Sequence, residues 1–153
     1  MLCARTNDSF VYRYALFDLF GTLIDEEGRA LTGAAELLAS LPADRWAIVT
    51  SCPRRLALAL IAHAGLPEPR VLVSADDVQR GKPAPECYLA AAAAFDAPPN
   101  ECVAIEDSTG GIAAARAAGI DVIAILRGRS SEFAHAASYT ARTIADVRVD
   151  LAD

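Results

Sequence analysis

One stretch of the chain, Tyr14 to Asp25, constrains the fold more than any other part of the sequence. It opens with four apolar residues, Tyr14 to Phe17, and a run of this length bounded by turn signals predicts a short strand buried on both faces. Asp18 follows at once, and Gly21 allows the backbone to turn just beyond it. Because open α/β sheets bind ligands at the carboxyl ends of their strands, Asp18 is the first candidate for a functional residue.

Four further apolar runs predict four more buried strands, at Trp46–Val49, Val71–Ser74, Val103–Ile105 and Val122–Leu126. The segments between them predict helices at 33–40, 53–64, 86–95 and 112–118, with Thr32 capping the first and Ser108 or Thr109 the last. Strands that alternate with helices indicate a parallel sheet. The sequence therefore predicts an α/β fold, a Rossmann-like three-layer sandwich around a mainly parallel five-stranded sheet.

The remaining segments carry weaker patterns. Residues 1–13 are expected to form a lead-in, and residues 23–31 a short hairpin over the strand ends. Beyond residue 126 the sequence predicts one short helix near 132–137 and a weak extended piece at 139–140. With 153 residues, no repeats and no linker, the chain is expected to form a single domain, 1–153.

Composition and charge argue against several classes of function. The 20 acidic residues outnumber the 14 lysines and arginines, and a net charge of −6 disfavours nucleic acid or a membrane surface as the main partner. No apolar run approaches the roughly 20 residues of a membrane span, and the start of the chain lacks the order of a signal peptide. The four cysteines form no zinc-binding spacing, so free thiols in a reducing cytoplasm are expected.

Polar residues follow the predicted strands at one edge of the sheet: Asp18, Thr50 with Ser51, Lys82, and Glu106 with Asp107. Three carboxylates around one point repel one another unless a cation neutralises them, and oxygen ligands favour Mg²⁺. A lysine and a hydroxyl beside them suit an anionic ligand, so the set predicts a phosphoryl-transfer site. Simpler roles exist for single members, with Thr50 as a helix cap and Lys82 as a solvated loop lysine.

Four motifs in this order resemble those of the haloacid dehalogenase superfamily: Asp18-Leu-Phe-Gly-Thr22, Thr50-Ser51, Gly81-Lys82-Pro83 and Glu106-Asp107-Ser108. The resemblance covers about residues 15–125. The amino-acid sequence of residues 73–86 and 106–119 is most similar to that of the sugar-phosphate phosphatases and β-phosphoglucomutase relatives of that superfamily.

The resemblance implies a role for each residue. Asp18 would be the nucleophile that forms an aspartyl-phosphate. Mg²⁺ would be bound by Asp18, the backbone carbonyl of Phe20, Asp107 and, directly or through water, Glu106. The phosphorylated substrate would be held by Thr50, Ser51, Lys82, Gly21 and Thr22, with Thr50 and Lys82 also counted as catalytic.

Two departures from the family pattern matter. The phosphatases carry an aspartate two residues after the nucleophile as acid and base, whereas this chain has Phe20. General acid–base catalysis by such an aspartate typically raises the reaction rate by about 10² to 10⁴-fold. An aromatic residue here resembles the 2-haloacid dehalogenases, which attack carbon without a metal. In addition, only residues 26–32 occupy the place where sugar-phosphate members insert a cap domain, so the site is expected to be open.

These features leave three functions open. The leading hypothesis is a cytoplasmic Mg²⁺-dependent phosphomonoesterase, weak because of Phe20, acting on a phosphorylated small molecule or a larger phosphorylated substrate. The alternatives are a catalytically impaired phosphate- and Mg²⁺-binding or regulatory module, and a dehalogenase-type hydrolase. The missing cap has three explanations: a large substrate, a neighbouring subunit of a homo-oligomer that covers the open site, or a core that has lost efficient catalysis. Arg54 and Arg55 are candidates for further phosphate contacts.

Overall fold

The computed structural model describes residues 12–153 together with the backbone of residues 2–3, so most of the predicted lead-in, 1–13, lies outside the described residues. The elements in chain order are β1 Leu2–Cys3, β2 Tyr14–Phe17, α1 Ala34–Ser40, β3 Trp46–Val49, α2 Arg54–His63, β4 Val71–Val73, α3 Glu86–Ala94, β5 Cys102–Glu106, α4 Thr109–Ala117, β6 Asp121–Ile125, β7 Tyr139–Ala141 and β8 Val147–Arg148. No helix among the described residues is long and apolar enough to cross a membrane.

Six strands form one parallel sheet in the order β4-β3-β2-β5-β6-β7, and β1 pairs separately with β8. The α/β prediction is confirmed, but the predicted count of five strands is wrong by one. The extra strand is β7, whose three residues align with Ile123 to Ile125 of β6. A segment of three residues is too short to show a strand periodicity, so the sequence indicated only a weak extended piece there.

The helices cover both faces of the sheet, as a three-layer sandwich requires. Successive residues of a strand point to opposite faces. Phe17 of β2 accordingly packs in the core cluster that holds Leu38 of α1 and Ile61 of α2. Its neighbour Leu16 packs in the other cluster, which holds Tyr88 of α3 and residues of α4. The central strand is therefore buried on both sides.

The register of the central strands places the candidate residues at one edge. Phe17 of β2 is aligned with Ile48 of β3 and with Ile105 of β5. The next residues along these strands are Asp18, Val49 and Glu106, which therefore lie at one level of the sheet. The strand order reverses beside β2, because β3 and β4 extend to one side and β5 to β7 to the other. Parallel sheets bind ligands at such a reversal.

Two local predictions need correction. Helix α1 is not capped by Thr32, since its N-cap is Gly33, which has a φ of 94° and makes no side-chain cap. A Cβ at Gly33 would lie 2.6 Å from the Cα of Ala145, so both the backbone conformation and the close packing require glycine. The helix predicted near 132–137 is a short 3-10 turn, Ser131–Ala134.

Other local predictions are confirmed. Ser108 caps α4, because its hydroxyl accepts a hydrogen bond from the backbone N–H of Gly111 at 3.0 Å. The hairpin forms through an antiparallel bridge between Ile24 and Ala30. Helix α1 begins at Ala34, four residues after that bridge, so a short turn alone connects the first strand region to the first helix.

Candidate active site

The loops at the carboxyl edge of the sheet surround a pocket of about 710 Å³. The predicted site residues that line it are Asp18, Gly21, Thr50, Ser51, Lys82 and Asp107, and Phe20 lines it as well. Thr22 and Glu106 are fully buried and do not line it. The structure therefore brings all the predicted side chains to one place, but it puts two of them behind the pocket wall.

Asp18 lies on the pocket floor, directly after β2, and is 8% exposed. Its Oδ1 accepts a hydrogen bond from the Lys82 ammonium at 2.8 Å, and its Oδ2 accepts one from the Thr22 hydroxyl at 3.2 Å. The prediction assigned Thr22 to the substrate. Its buried hydroxyl instead orients the Asp18 carboxylate from behind.

Lys82 is the cation at the centre of the site. Its Nζ donates to Asp18, to Glu106 Oε1 at 2.6 Å and to the carbonyl of Val49 at 3.0 Å, which uses all three of its protons. Burial alone would lower the pKa of the ammonium, but the adjacent carboxylates of Asp18 and Glu106 outweigh it and raise the pKa above its ordinary value. Its side chain is 9% exposed, so Lys82 is not a solvated loop lysine.

The three carboxylates disfavour one another's charge. Burial, followed by the charge of Asp18, raises the pKa of Glu106 to about 7, against the opposing effect of Lys82. Burial and Asp18 likewise raise the pKa of Asp107 to about 6, against the opposing effects of Arg129 and Arg127. One buried ammonium is thus insufficient to stabilise all three anions.

The donor set fits a divalent cation. Asp18, Glu106 and Asp107 each offer one oxygen, and these atoms lie within 4.8 Å of one another. The second oxygen of Glu106, Oε2, is buried without a hydrogen-bond partner. A buried, unpaired carboxylate oxygen is costly, and a hard cation bound by carboxylate oxygens would relieve both this cost and the mutual repulsion.

Thr50 and Ser51 lie between β3 and α2. Thr50 does not cap α2, whose N-cap is Pro53 without a side-chain hydrogen bond. The Thr50 hydroxyl instead accepts the N–H of Cys52 at 3.2 Å. A hydroxyl that accepts one bond keeps its own proton to donate, so Thr50 can offer a hydrogen bond toward the pocket.

Gly21 is required where the first loop passes Asp107. Its φ is +79°, and a Cβ there would lie 2.0 Å from Oδ2 of Asp107. No other residue fits this close approach without displacing the carboxylate.

Two residues that support the site were missed by the sequence reasoning. Tyr88 is fully buried in α3 and donates its hydroxyl proton to Glu106 Oε1. Arg129 donates to the carbonyl of Asp107 at 2.8 Å and lies 3.9 Å from its carboxylate. The position of Tyr88, six residues after Lys82 in the first turn of α3, was the available signal. No local sequence feature indicated Arg129, which reaches Asp107 only because of the fold.

The suggested phosphate contact of Arg54 is wrong. Its guanidinium binds the carbonyl of Leu72 and the carboxylate of Asp77, the latter at 2.9 Å. Neither Arg54 nor Arg55 lines the pocket. The start of α2 presents apolar side chains to the pocket instead.

The comparison with known proteins agrees with the geometry. The model of the haloacid dehalogenase-like hydrolases matches residues 26–119, more than half of the chain. Hexitol phosphatase A of Escherichia coli (strain K12) is 46% identical over 98 residues, which are 63% of this chain and 45% of that protein. The chain spans about half the length of the curated relatives it matches.

Solved structures show the same fold. CbbY from Rhodobacter sphaeroides in complex with phosphate is 32% identical with a TM-score of 0.66, over 77% of this chain and 56% of that one. A hydrolase from Pseudomonas syringae is 25% identical with a TM-score of 0.76, over 88% and 95% of the two chains. The four motifs, their convergence at one sheet edge and the matched family model lead to one conclusion: the chain belongs to the haloacid dehalogenase-like hydrolase family.

Proposed function

We propose that the chain is a Mg²⁺-dependent phosphohydrolase that cleaves phosphate monoesters through an aspartyl-phosphate on Asp18. The observation that carries this proposal is the contact of the Asp18 carboxylate with the buried Lys82 ammonium, on the floor of an open pocket and beside two further carboxylates. The relatives named phosphatases support a phosphorylated small molecule as the substrate. A larger phosphorylated substrate remains an alternative.

The chain's own residues perform distinct tasks. The Asp18 carboxylate attacks phosphorus, the bond between Asp18 and phosphorus forms, and the bond from phosphorus to the alcohol oxygen breaks, with the alcohol oxygen taking its proton from solvent water. The Thr50 hydroxyl and the Ser51 amide donate hydrogen bonds to the phosphoryl oxygens, and the Lys82 ammonium, whose three protons are already bound, stabilises them through its charge. Water then attacks the phosphorus and loses a proton to the solvent, and the bond between Asp18 and phosphorus breaks, which releases inorganic phosphate and restores the carboxylate of Asp18.

Asp18, Asp107, Glu106 and the backbone carbonyl of Phe20 would hold Mg²⁺. When bound, Mg²⁺ supplies positive charge that lets the nucleophile approach a negatively charged phosphoryl group. Phe20 cannot donate a proton to the departing alcohol, so esters of alcohols that are poor leaving groups are expected to react slowly.

The test is Mg²⁺-dependent hydrolysis of p-nitrophenyl phosphate by the wild type, Asp18→Asn and Phe20→Asp. We expect turnover by the wild type, none by Asp18→Asn, and a gain of roughly 10² or more in Phe20→Asp on an ester with a poorer leaving group. If neither the wild type nor Phe20→Asp hydrolyses the esters, phosphate ester hydrolysis is not the function of this site.

One observation favours a second candidate, a binding or regulatory module. Phe20 is 40% exposed at the pocket and offers no acid for turnover. In that case Mg²⁺ with beryllofluoride would raise the melting temperature while turnover stays near zero. Dehalogenase-type attack on carbon is the third candidate, and it would release halide without a metal. The carboxylate cluster favours the phosphatase over it.

Location and assembly stay predictions from the sequence. Cys52, Cys87 and Cys102 are free and buried, which supports a reducing cytoplasmic location. Coverage of the open site by a second copy of the chain is testable by light scattering of the purified protein.

A further inference from the structure

Part of the pocket wall is formed by exposed apolar side chains. The described part of the chain exposes four large hydrophobic side chains, Phe20, Leu56, Leu58 and Leu89. Two of them, Phe20 at 40% and Leu56 at 50% exposure, line the pocket above Asp18. Single exposed apolar residues are normal on protein surfaces, but two in one pocket point to a ligand contact.

The fold explains why these side chains share a wall. Phe20 lies in the loop after β2, and Leu56 lies in the first turn of α2, which follows β3. Because β2 and β3 are neighbours in the sheet, both segments emerge side by side at the same edge. Pro53 lies three residues before Leu56, on the same side of the helix, and both Pro53 and Cys52 extend the apolar lining.

Charges at the pocket do not suit a second anionic group on the substrate. Among the described lining residues the cation is Lys82, and its three protons bind Asp18, Glu106 and Val49 at the floor. Glu26 at the rim is anionic and 83% exposed, with Arg127 at 3.6 Å. Beside the phosphoryl position the lining thus holds apolar side chains together with Ser51 and Ser108, whose hydroxyls carry no charge.

We propose, building on the phosphatase function above, that the pocket selects phosphate monoesters whose alcohol part is apolar, an alkyl or aryl group. Phe20 and Leu56 are the residues that determine this specificity, by burying the alcohol part while the phosphoryl group binds at Thr50, beside the charge of Lys82. Polyhydroxylated sugar phosphates fit less well, because any hydroxyl group that faces Phe20 and Leu56 would lose water and find no polar partner on that wall.

The test measures binding apart from turnover. In the presence of Mg²⁺, calorimetry compares hexylphosphonate with 2,3-dihydroxypropylphosphonate, neither of which can be hydrolysed at a P–O ester bond. We expect the wild type to bind hexylphosphonate about tenfold or more tightly, and Leu56→Asn to lose most of this preference. Leu89→Asn is the matched control, since Leu89 is 44% exposed on α3 and does not line the pocket.

A parallel turnover series uses hexyl phosphate and glycerol 1-phosphate, both esters of primary alcohols. Leu56→Asn should lower kcat/KM for hexyl phosphate by roughly tenfold and leave glycerol 1-phosphate nearly unchanged. Equal or reversed phosphonate affinities, absence of binding by both, or the same loss in Leu89→Asn would overturn the specificity proposal. Absence of turnover alongside the expected binding preference would instead overturn only the hydrolytic function.

Discussion

The close packing of α4 against Glu106 makes a sharp prediction about two adjacent glycines. A Cβ at Gly111 would lie 2.0 Å from Oε2 and 2.1 Å from Cδ of Glu106. A Cβ at Gly110, one residue earlier, would meet nothing within 4 Å. Neither glycine has a positive φ, so alanine is compatible with the backbone at both positions. Gly111→Ala and Gly110→Ala therefore form a matched pair.

The expected effects follow from these distances. In Gly111→Ala the Glu106 carboxylate must retreat by more than about 1 Å, although its other oxygen is held by Lys82 and Tyr88. Overpacking of this kind costs about 1 to 3 kcal/mol. Alanine also gains about 1 kcal/mol over glycine in a helix, which leaves a net loss of about 0 to 2 kcal/mol in Gly111→Ala. In Gly110→Ala we expect only the stabilising effect of alanine in a helix, without an overpacking cost.

Thermal unfolding and hydrolysis of p-nitrophenyl phosphate measure the two consequences. At about 2 to 4 °C per kcal/mol for a domain of this size, Gly111→Ala should melt up to about 8 °C below the wild type, and Gly110→Ala slightly above it. A misplacement of about 1 Å costs on the order of 10² in rate, so Gly111→Ala should lose most of its activity. Wild-type activity with a melting temperature equal to that of Gly110→Ala would refute the placement of Glu106.

Three further predictions concern the support of the carboxylates. Tyr88→Phe removes the hydroxyl that donates to Glu106 and should lower the free energy of unfolding by about 1 to 3 kcal/mol, measured by urea denaturation; an unchanged midpoint would contradict it. Mg²⁺ at about 100 times its Kd should stabilise the wild type by about 2.7 kcal/mol. Asp107→Asn should abolish most of this gain in a thermal shift assay, whereas an equal gain in both proteins would place the cation elsewhere. Arg129→Gln removes the guanidinium beside Asp107 and should alter the Mg²⁺ affinity measured by calorimetry, while an unchanged affinity would make Arg129 purely structural.

The core strands could be predicted from sequence because each is a short apolar run that ends at a polar residue. Trp46 to Val49 was predicted with the observed bounds, and β2 ends one residue before Asp18 as expected. Strand β7 was not predicted as part of the sheet, because Tyr139 to Ala141 shows no apolar run. Its extended conformation depends on pairing with β6. The N-cap of α1 was not predicted for a related reason: close packing against Ala145, which is distant in sequence, requires Gly33 at that position.

The candidate site could be predicted as a set, since each member follows a strand and parallel strands end at one edge. Sequence reasoning could not separate the pocket lining from the residues behind it. Thr22 and Glu106 lie at the same edge of the sheet as Thr50 and Asp107, yet both are completely buried and do not line the pocket. Burial depends on neighbouring strands and helices, which local sequence does not report.

The floor and the wall of the pocket depend on different parts of the fold. The floor residues Asp18 and Lys82 are bound to each other, and Lys82 also donates to the strand carbonyl of Val49, so the register of the central sheet determines their position. Phe20 and Leu56 belong to the loop and helix that follow the strands, and their side chains are partly exposed. Substitution at the wall therefore costs little packing free energy, whereas substitution at the floor leaves a buried charge without a partner. For this reason we expect the alcohol specificity to change readily with Leu56, while the Asp18–Lys82 pair tolerates almost no replacement.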